Sequence, residues 1–339
     1  MSHARFFRVV DAPRLAALAL CIAAPAQAAT FTTFDPAGSV GTYPYSINAS
    51  GVISGTYETA GNKAHGFIRT ADGTITTFDP KGSLITQPFA IDDNGRVAGE
   101  YTPHNRSRSH GFIRETDGTI TVFDATTHAT YTRPAGFDAD GNVAGSFTDH
   151  RRKSRGFIRS ASGNVTVFDY PHSLVTGAYS VNGSGVITGL GLLKNFHKPD
   201  RGYIRAPDGS FTSFLVPDAL STEGLSINAS GTVAGDYYGK DSVTHGLVRD
   251  PDGTLTSFDP KGSQETYPSA INASGAIVGT YQVGDDVYHG FLRKADGSIR
   301  TLDDPGAVST TPTSINDKGV VIGYFKDASG LVHGFVRTN

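Results

Sequence analysis

From residue 31 to residue 337 the chain alternates short apolar runs with turns rich in Gly, Asn and Asp. Residues 45–47 read as a first strand, followed by the turn Asn48-Ala49-Ser50-Gly51. Asn tolerates left-handed backbone and Gly permits positive φ, so this tetrapeptide reverses the chain. Residues 52–57 read as a second strand, 65–70 as a third and 74–79 as a fourth. Asp79-Pro80 ends the fourth, because Pro cannot extend a ladder. No segment after residue 28 reads as a helix of standard length.

The same four-strand phrase is written seven times. Its Phe-Asp corner recurs at Phe34, Phe78, Phe123, Phe168, Phe214, Phe258 and, as Leu, at Leu302, with intervals of 44, 45, 45, 46, 44 and 44 residues. A fixed period of this length with about four short strands per unit is the signature of propeller blades. The expected fold is therefore all-β, a seven-bladed β-propeller of four-stranded antiparallel blades forming a single domain over residues 29–339.

Three finer expectations follow from the repeat. Gly55 lies inside the second strand, and Gly99, Gly145, Gly189, Gly235, Gly279 and Gly323 are its equivalents. A strand glycine weakens a strand, so seven of them predict a close backbone approach or a bulge. Second, a two-residue turn at Asp72-Gly73 would set Phe67 opposite Phe78. The same count pairs Phe112 with Phe123, Phe157 with Phe168, Tyr203 with Phe214, Leu247 with Phe258 and Phe291 with Leu302. Third, residues 30–35 form an orphan fourth strand, and the chain stops after a third strand at residues 333–337. Each end lacks what the other has. Pairing them would close the ring, with Phe335 opposite Phe34 and Arg337 opposite Thr32, and would remove an unpaired edge.

The first 28 residues stand outside this scheme. Arg5, Arg8 and Arg14 precede a short apolar stretch at 15–24, and Ala26-Gln27-Ala28 has the form of a cleavage site. These features read as a signal peptide, so the expected location is periplasmic or extracellular. Cys21 follows Leu18-Ala19-Leu20, and the bulky Leu20 argues against lipidation. No Cys, Met or Trp occurs after residue 28, so disulfides play no part in the expected fold. No later segment reaches the length of a membrane-spanning helix.

The charge is uneven. Losing residues 1–28 removes three Arg and Asp11 and moves the net charge from −3 to −5. Residues 102–202 nevertheless carry 12 Lys or Arg against 8 Asp or Glu, a net of +4. An exported chain of negative net charge is a poor nucleic-acid partner.

The words Ile-Asn-x-x-Gly-x-x-x-Gly and His-Gly-Phe-Ile-Arg resemble the HAF repeats of exported bacterial proteins, over nearly the whole of residues 31–337. That resemblance implies an extracellular or periplasmic propeller-like fold and carries over no catalytic residue. Arg155 and Arg201 depart from it by replacing the His of the third and fourth copies.

Most repeated polar residues read as scaffold. The Arg closing each His-Gly-Phe-Ile-Arg word (Arg69, Arg114, Arg159, Arg205, Arg249, Arg293 and Arg337) reads as a fork tying strands or neighbouring copies together, against a reading as seven anion sites. The repeated His65, His110, His245, His289 and His333 lie on different copies, without metal-ligand spacing. The Asn-x-Ser words at Asn48, Asn182, Asn228 and Asn272 read as turns. Residues 138–142 resemble a calcium loop but lack its trailing Glu, so neither metal nor cofactor is expected.

Function is expected where the repeat is broken. Loops between second and third strands share one face with the connections between copies. In copies two to four these segments carry His104, Arg106, Arg108, His128, Arg133, His150, Arg151, Arg152, Lys153, His172, Lys194, His197 and Lys198. The loops of later copies carry Asp236, Asp241, Asp285, Asp286 and Asp327. Solvated loop charge is the plain reading. The functional one is a basic, His-bearing face that binds an anionic polysaccharide, an envelope component or a protein, with Tyr131, Phe196, Tyr237 and Tyr238 as stacking platforms. The alternative is a lyase or hydrolase of an acidic polymer, with His150 or His172 as base and Arg151 or Arg152 holding a carboxylate.

Overall fold

A computed structural model describes residues 29–105, 108–194, 198–284 and 287–338. Residues 1–28, including the expected signal peptide, and Arg106, Phe196, His197, Asp285 and Asp286 of the sequence analysis lie outside the described residues. Regular structure among the described residues is entirely β, in 28 strands. No helix there is long and apolar enough to cross a membrane.

The strands repeat one four-strand unit. Gly41–Ile47 pairs antiparallel with Ile53–Thr59, which pairs with Lys63–Arg69, which pairs with Ile75–Phe78. Two units stand as separate four-stranded sheets, and the others join into sheets of 8 and 12 strands. The joins are single parallel bridges such as Ala64↔Ile85 and Ser154↔Val175. None of the sheets closes on itself. Thr30–Phe34 pairs antiparallel with Val332–Thr338, so the two ends do complete one unit.

The register of that pairing differs from the expected one. Phe34 faces Gly334, Thr33 faces Phe335 and Phe31 faces Arg337. The same one-residue offset holds within the copies: Phe67 faces Thr77 and Phe78 faces Gly66. The turn is the cause. Thr70 N–H donates to Thr74 O and Gly73 N–H donates to Thr70 O, each at 2.9 Å, which makes a three-residue hairpin rather than a two-residue one. Gly73 takes the left-handed position at φ 95°, as the last residue of such a loop requires. One extra residue flips the facing of every side chain.

The aromatic side chains therefore pair between copies rather than across the hairpin. Phe78 meets Phe112 of the next copy at 5.9 Å, Phe123 meets Phe157 at 6.0 Å and Phe258 meets Phe291 at 5.8 Å, all edge to face. Phe34 packs on Phe67 of the first copy at 5.8 Å, while Phe31 meets Phe335 within the last unit at 5.4 Å. The third-strand Phe67, Phe112, Phe157, Phe291 and Phe335 are wholly buried. Burying each contributes about 1.5–3 kcal/mol.

The strand glycine has two causes. A Cβ on Gly55 would meet the Phe67 ring at 2.6 Å and would press on the Tyr43 carbonyl. Opposite it the first strand bulges between Pro44 and Ser46, leaving Tyr45 without a ladder partner. Pro44 sits at the bulge, where its missing N–H is tolerated.

The repeated polar residues form clips. The Arg69 guanidinium lies over the Phe34 ring at 4.9 Å, Arg114 over Phe78 at 5.1 Å and Arg293 over Phe258 at 5.0 Å. His65 Nδ1 bonds Asp79 at 2.6 Å, and the Thr86 hydroxyl of the next copy donates to that Asp at 2.5 Å. His333, Asp35 and Thr42 make the same clip between the two ends of the chain. The Asn48 side chain accepts from Val52 N–H within its own turn and donates to Asp92 O of the next copy at 3.0 Å. Asn182, Asn228 and Asn272 donate likewise, and Asn316 donates to Asn48 O at 3.1 Å. The Asp138 carboxylate of the calcium-like word is occupied within its own turn by Asn142, at 2.8 Å.

Candidate functional site

The loop face keeps most of the residues expected there. His104, Arg108, His128, His150, Arg151, Arg152, His172, Lys194 and Lys198 are exposed. Backbone bonds hold each loop to the neighbouring corner: His104 N–H donates to Gly82 O, His150 to His128 O and Lys194 to His172 O. The first stretch after a second strand is thus tethered, which brings the His128 and His150 rings to 5.1 Å. Arg108 donates to Thr127 O at 3.4 Å. Lys153 is half-buried and bonds Asp169 at 2.8 Å, while Arg155 stands 3.7 Å from the same carboxylate. The charged groups of Arg151, Arg152, Lys194 and Lys198 have no partner among the described residues. His150 lies against His128, and neither His150 nor His172 lines a described cavity.

Two residues are not where the sequence reading put them. Arg133 lies on the first strand Ala129–Phe137, facing the interior of the molecule rather than the loop face. Asp236 lies on the second strand Val233–Tyr238, directly opposite Glu223. Arg133 lines a central cavity, and Asp236 stands beside it, behind the lining residue Glu223.

That cavity has a volume of about 650 Å³. Tyr45, Phe89, Ala135 and Tyr179 line it from the first four copies, and Leu225, Ser269 and Thr313 from the last three. Every one of them is the unpaired residue at the bulge of its first strand. A bulge re-aims a side chain, and here it turns one side chain per copy toward a shared space. Tyr131, Thr148 and Ser154, at strand ends beside the loops, also line the cavity, so it lies toward the loop face. A second cavity, of about 570 Å³, lies at the opposite ends of the strands, among the turns of Asn48, Asp92, Asn228, Asn272 and Asn316.

Charge in and around the central cavity is concentrated in a few groups. Arg133 lies over the Phe89 ring at 4.3 Å. Glu100 is buried at 5% exposure, and its Oε2 has no hydrogen-bond partner. Burial pushes the Glu100 carboxyl up to about 7, against the pull of the Arg133 charge and the Tyr131 hydroxyl. Burial and then the Glu223 carboxylate push Asp236 up to about 7. Glu223 is itself raised, by burial and then by Asp200. Burial and then Glu223 raise the Tyr179 phenol to about 12, with Arg133 opposing and Asp236 adding. Among the described residues no three His, Cys, Asp or Glu side chains gather as metal ligands.

Sequence reasoning missed Glu100, Glu223, Tyr45, Phe89 and Tyr179. A signal was present. Aligned copies keep a hydrophobic residue followed by Asn or Asp at the turn but differ two residues before the bulge, where Tyr43, Gln87, Arg133, Gly177, Glu223, Tyr267 and Thr311 stand. They also differ just after the strand glycine, at Thr56, Glu100, Ser146, Leu190, Asp236, Thr280 and Tyr324. Variation inside an otherwise uniform strand marks side chains that the scaffold does not need.

No protein-family model matches this chain, and no curated protein sequence matches it. Solved structures do. TolB from Acinetobacter baumannii is similar at 12% identity and a TM-score of 0.51, over 85% of this chain and 79% of TolB. Puromycin hydrolase is similar at 13% identity and a TM-score of 0.60, over 88% of this chain and 52% of the hydrolase, so this chain spans about half that enzyme's length. The Cps50 (Swd1) β-propeller domain from Myceliophteria thermophila is similar at 8% identity and a TM-score of 0.56, over 91% of this chain and 98% of the domain. At such identities the likeness speaks for the fold alone: this chain is an all-β repeat protein of the β-propeller kind.

Proposed function

We propose that this chain is an exported, non-enzymatic binding propeller of seven blades, closed by its own termini, whose loop face in copies two to four holds an anionic polymer. Closure is supported by the pairing of Thr30–Phe34 with Val332–Thr338. Two hydrogen bonds from the last copy to the first support it too: Thr313 Oγ1 to Pro44 O at 2.8 Å, and Asn316 to Asn48 O at 3.1 Å.

The observation that carries the binding reading is the set of unpaired cations. Arg151, Arg152, Lys194 and Lys198 are exposed on one face, and their charged groups form no ion pair among the described residues. Such a surface attracts a polyanion with a strength that falls as salt screens it. The chemistry fits an acidic glycan of the cell envelope or its surroundings.

The test is co-sedimentation or calorimetry of the purified protein with polygalacturonate, alginate and heparin. Binding to at least one of them, weakened by salt and by the double substitution Arg151→Glu, Arg152→Glu, is the expected result. Equal binding by the double variant would remove the loop face from the proposal. Appearance of unsaturated or shortened chains during incubation would favour the lyase or hydrolase reading at this face instead.

A further inference from the structure

We propose that the central cavity is a second, separate binding site, and that it takes an organic cation: a primary ammonium on an aromatic or aliphatic body. The argument begins with charge. Glu223 lines the cavity, and Asp236 stands opposite it on the neighbouring strand. Side chains paired in this way across an antiparallel ladder have Cβ atoms about 4.5–5.5 Å apart, and like charges so placed repel. Neither carboxylate has a Lys, Arg or His partner among the described residues. Arg133 is the one Lys, Arg or His lining the cavity, and it is already engaged over Phe89. With Glu100, which lies close enough to feel the Arg133 charge, one acidic group on the wall and two just behind it stand against one guanidinium.

A second observation is independent of that cluster. Glu100 is buried at 5% exposure beside Tyr131 and Arg133, and its Oε2 accepts no hydrogen bond. A buried oxygen without a donor carries a desolvation cost of about 1–3 kcal/mol, and a positive charge held in the adjoining cavity would offset part of it. Burial raises both the Glu100 and the Asp236 carboxyl, with the Glu223 carboxylate adding at Asp236.

The walls set the class of the ligand. Tyr45 and Phe89 meet at 5.5 Å, and Tyr179 lies near both Glu223 and Asp236. Aromatic faces attract a cation through the ring quadrupole, and carboxylates add charge-assisted hydrogen bonds from an ammonium. A cavity of about 650 Å³ falls within the range that holds small organic ligands. The absence of a three-ligand cluster among the described residues disfavours a bare divalent ion. An anion would meet the repulsion of the carboxylates. The acidic cavity and the basic loop face therefore select opposite charges, and this inference does not depend on the polymer proposal.

The experiment is calorimetric titration of the purified protein with three probes of one shape: phenethylammonium, phenethyl alcohol and phenylacetate. The expected outcome is saturable one-to-one binding of the ammonium, with the alcohol and the carboxylate at least about tenfold weaker, a gap of about 1.4 kcal/mol. Glu223→Gln and Asp236→Asn should each weaken the ammonium by a similar factor. The Arg151→Glu, Arg152→Glu variant should bind it unchanged. Because both cavity substitutions preserve shape and remove like-charge repulsion, folding is checked by circular dichroism, and either variant alone suffices for the test. Binding of the neutral alcohol as tight as that of the ammonium overturns the proposal. So does unchanged affinity in a folded Glu223→Gln or Asp236→Asn variant, or no saturable binding of the ammonium at millimolar concentration.

Discussion

At the scale of single residues, this protein uses glycine and buried carboxyls in opposite ways. Gly99 is required by what lies against it: a Cβ there would stand 2.8 Å from the Phe112 ring and 2.7 Å from Pro88 Cα. Gly99→Ala should therefore destabilise by about 1–3 kcal/mol, the usual effect of overpacking, measurable as a lowered denaturation midpoint. Glu100 and Asp236 are not required by packing, and they weaken the fold when ionised. Both carboxyls sit at about 7 in the folded protein, above their unfolded values near about 4. A group shifted upward stabilises the fold while protonated. Its contribution is complete below about pH 4 and is lost as pH rises toward about 7. Thermal denaturation should therefore show stability falling over that interval. In the Glu100→Gln, Asp236→Asn double variant the fall should be shallower. His333 acts in the same direction, because its bond to Asp35 raises the imidazole, so the comparison with the variant isolates the carboxyls. An equal slope in both proteins would mean that these two groups do not titrate with folding.

At the scale of the element, the unit of construction is the contact between one copy's corner and the next copy's third strand. The corner Phe receives the edge of a neighbouring Phe and the face of a neighbouring Arg: Phe34 takes Phe67 and Arg69, and Phe78 takes Phe112 and Arg114. Arg69→Ala should cost about 1 kcal/mol or more, through the lost stacking and the packing of its stem. Arg151→Glu with Arg152→Glu should change stability by less than about 0.5 kcal/mol per site, because those side chains are exposed and unpaired. Urea denaturation of the two variants side by side checks this order. A larger loss in the loop variant would reverse the division between scaffold and binding face.

At the scale of the whole molecule, the two chain ends are joined by a strand pair, a His-Asp-Thr clip and an aromatic contact. Thr30–Phe34 lies against Val332–Thr338, His333 bonds Asp35 at 2.7 Å, and Phe31 meets Phe335 at 5.4 Å. A terminal segment is ordinarily dispensable, but one hydrogen-bonded into a sheet is not. Deleting residues 29–35 should strip the outer strand from the last unit and expose the flank of Phe335. The expected result is a drop of about 10 °C or more in the melting temperature, or aggregation through the bared edge. A truncated protein that melts with the full chain would show that the terminal strand contributes little.

The sequence by itself determined the repeat, its four strands, the positions of its turns, the complementary ends and the scaffold role of the recurring Arg, His and Asn. These are legible because they depend on residues close together in the chain. A Gly at positive φ or a Pro at a strand end acts within a few positions, and the period then multiplies the signal. What only the tertiary structure decided depends on one added residue or on several copies meeting. The third residue in the turn at Ala71-Asp72-Gly73 reverses which face Phe78 occupies, and so moves the aromatic pairs from within the hairpin to between copies. Arg133 and Asp236 look like loop charges along the chain. A bulge in the first strand and the gathering of copies about a common space place Arg133 on the wall of a central cavity and Asp236 just behind it, beside Glu100 and Glu223. Burial, and with it the chemistry of a carboxyl group, is a property of what surrounds a residue in space, and no single repeat contains those surroundings.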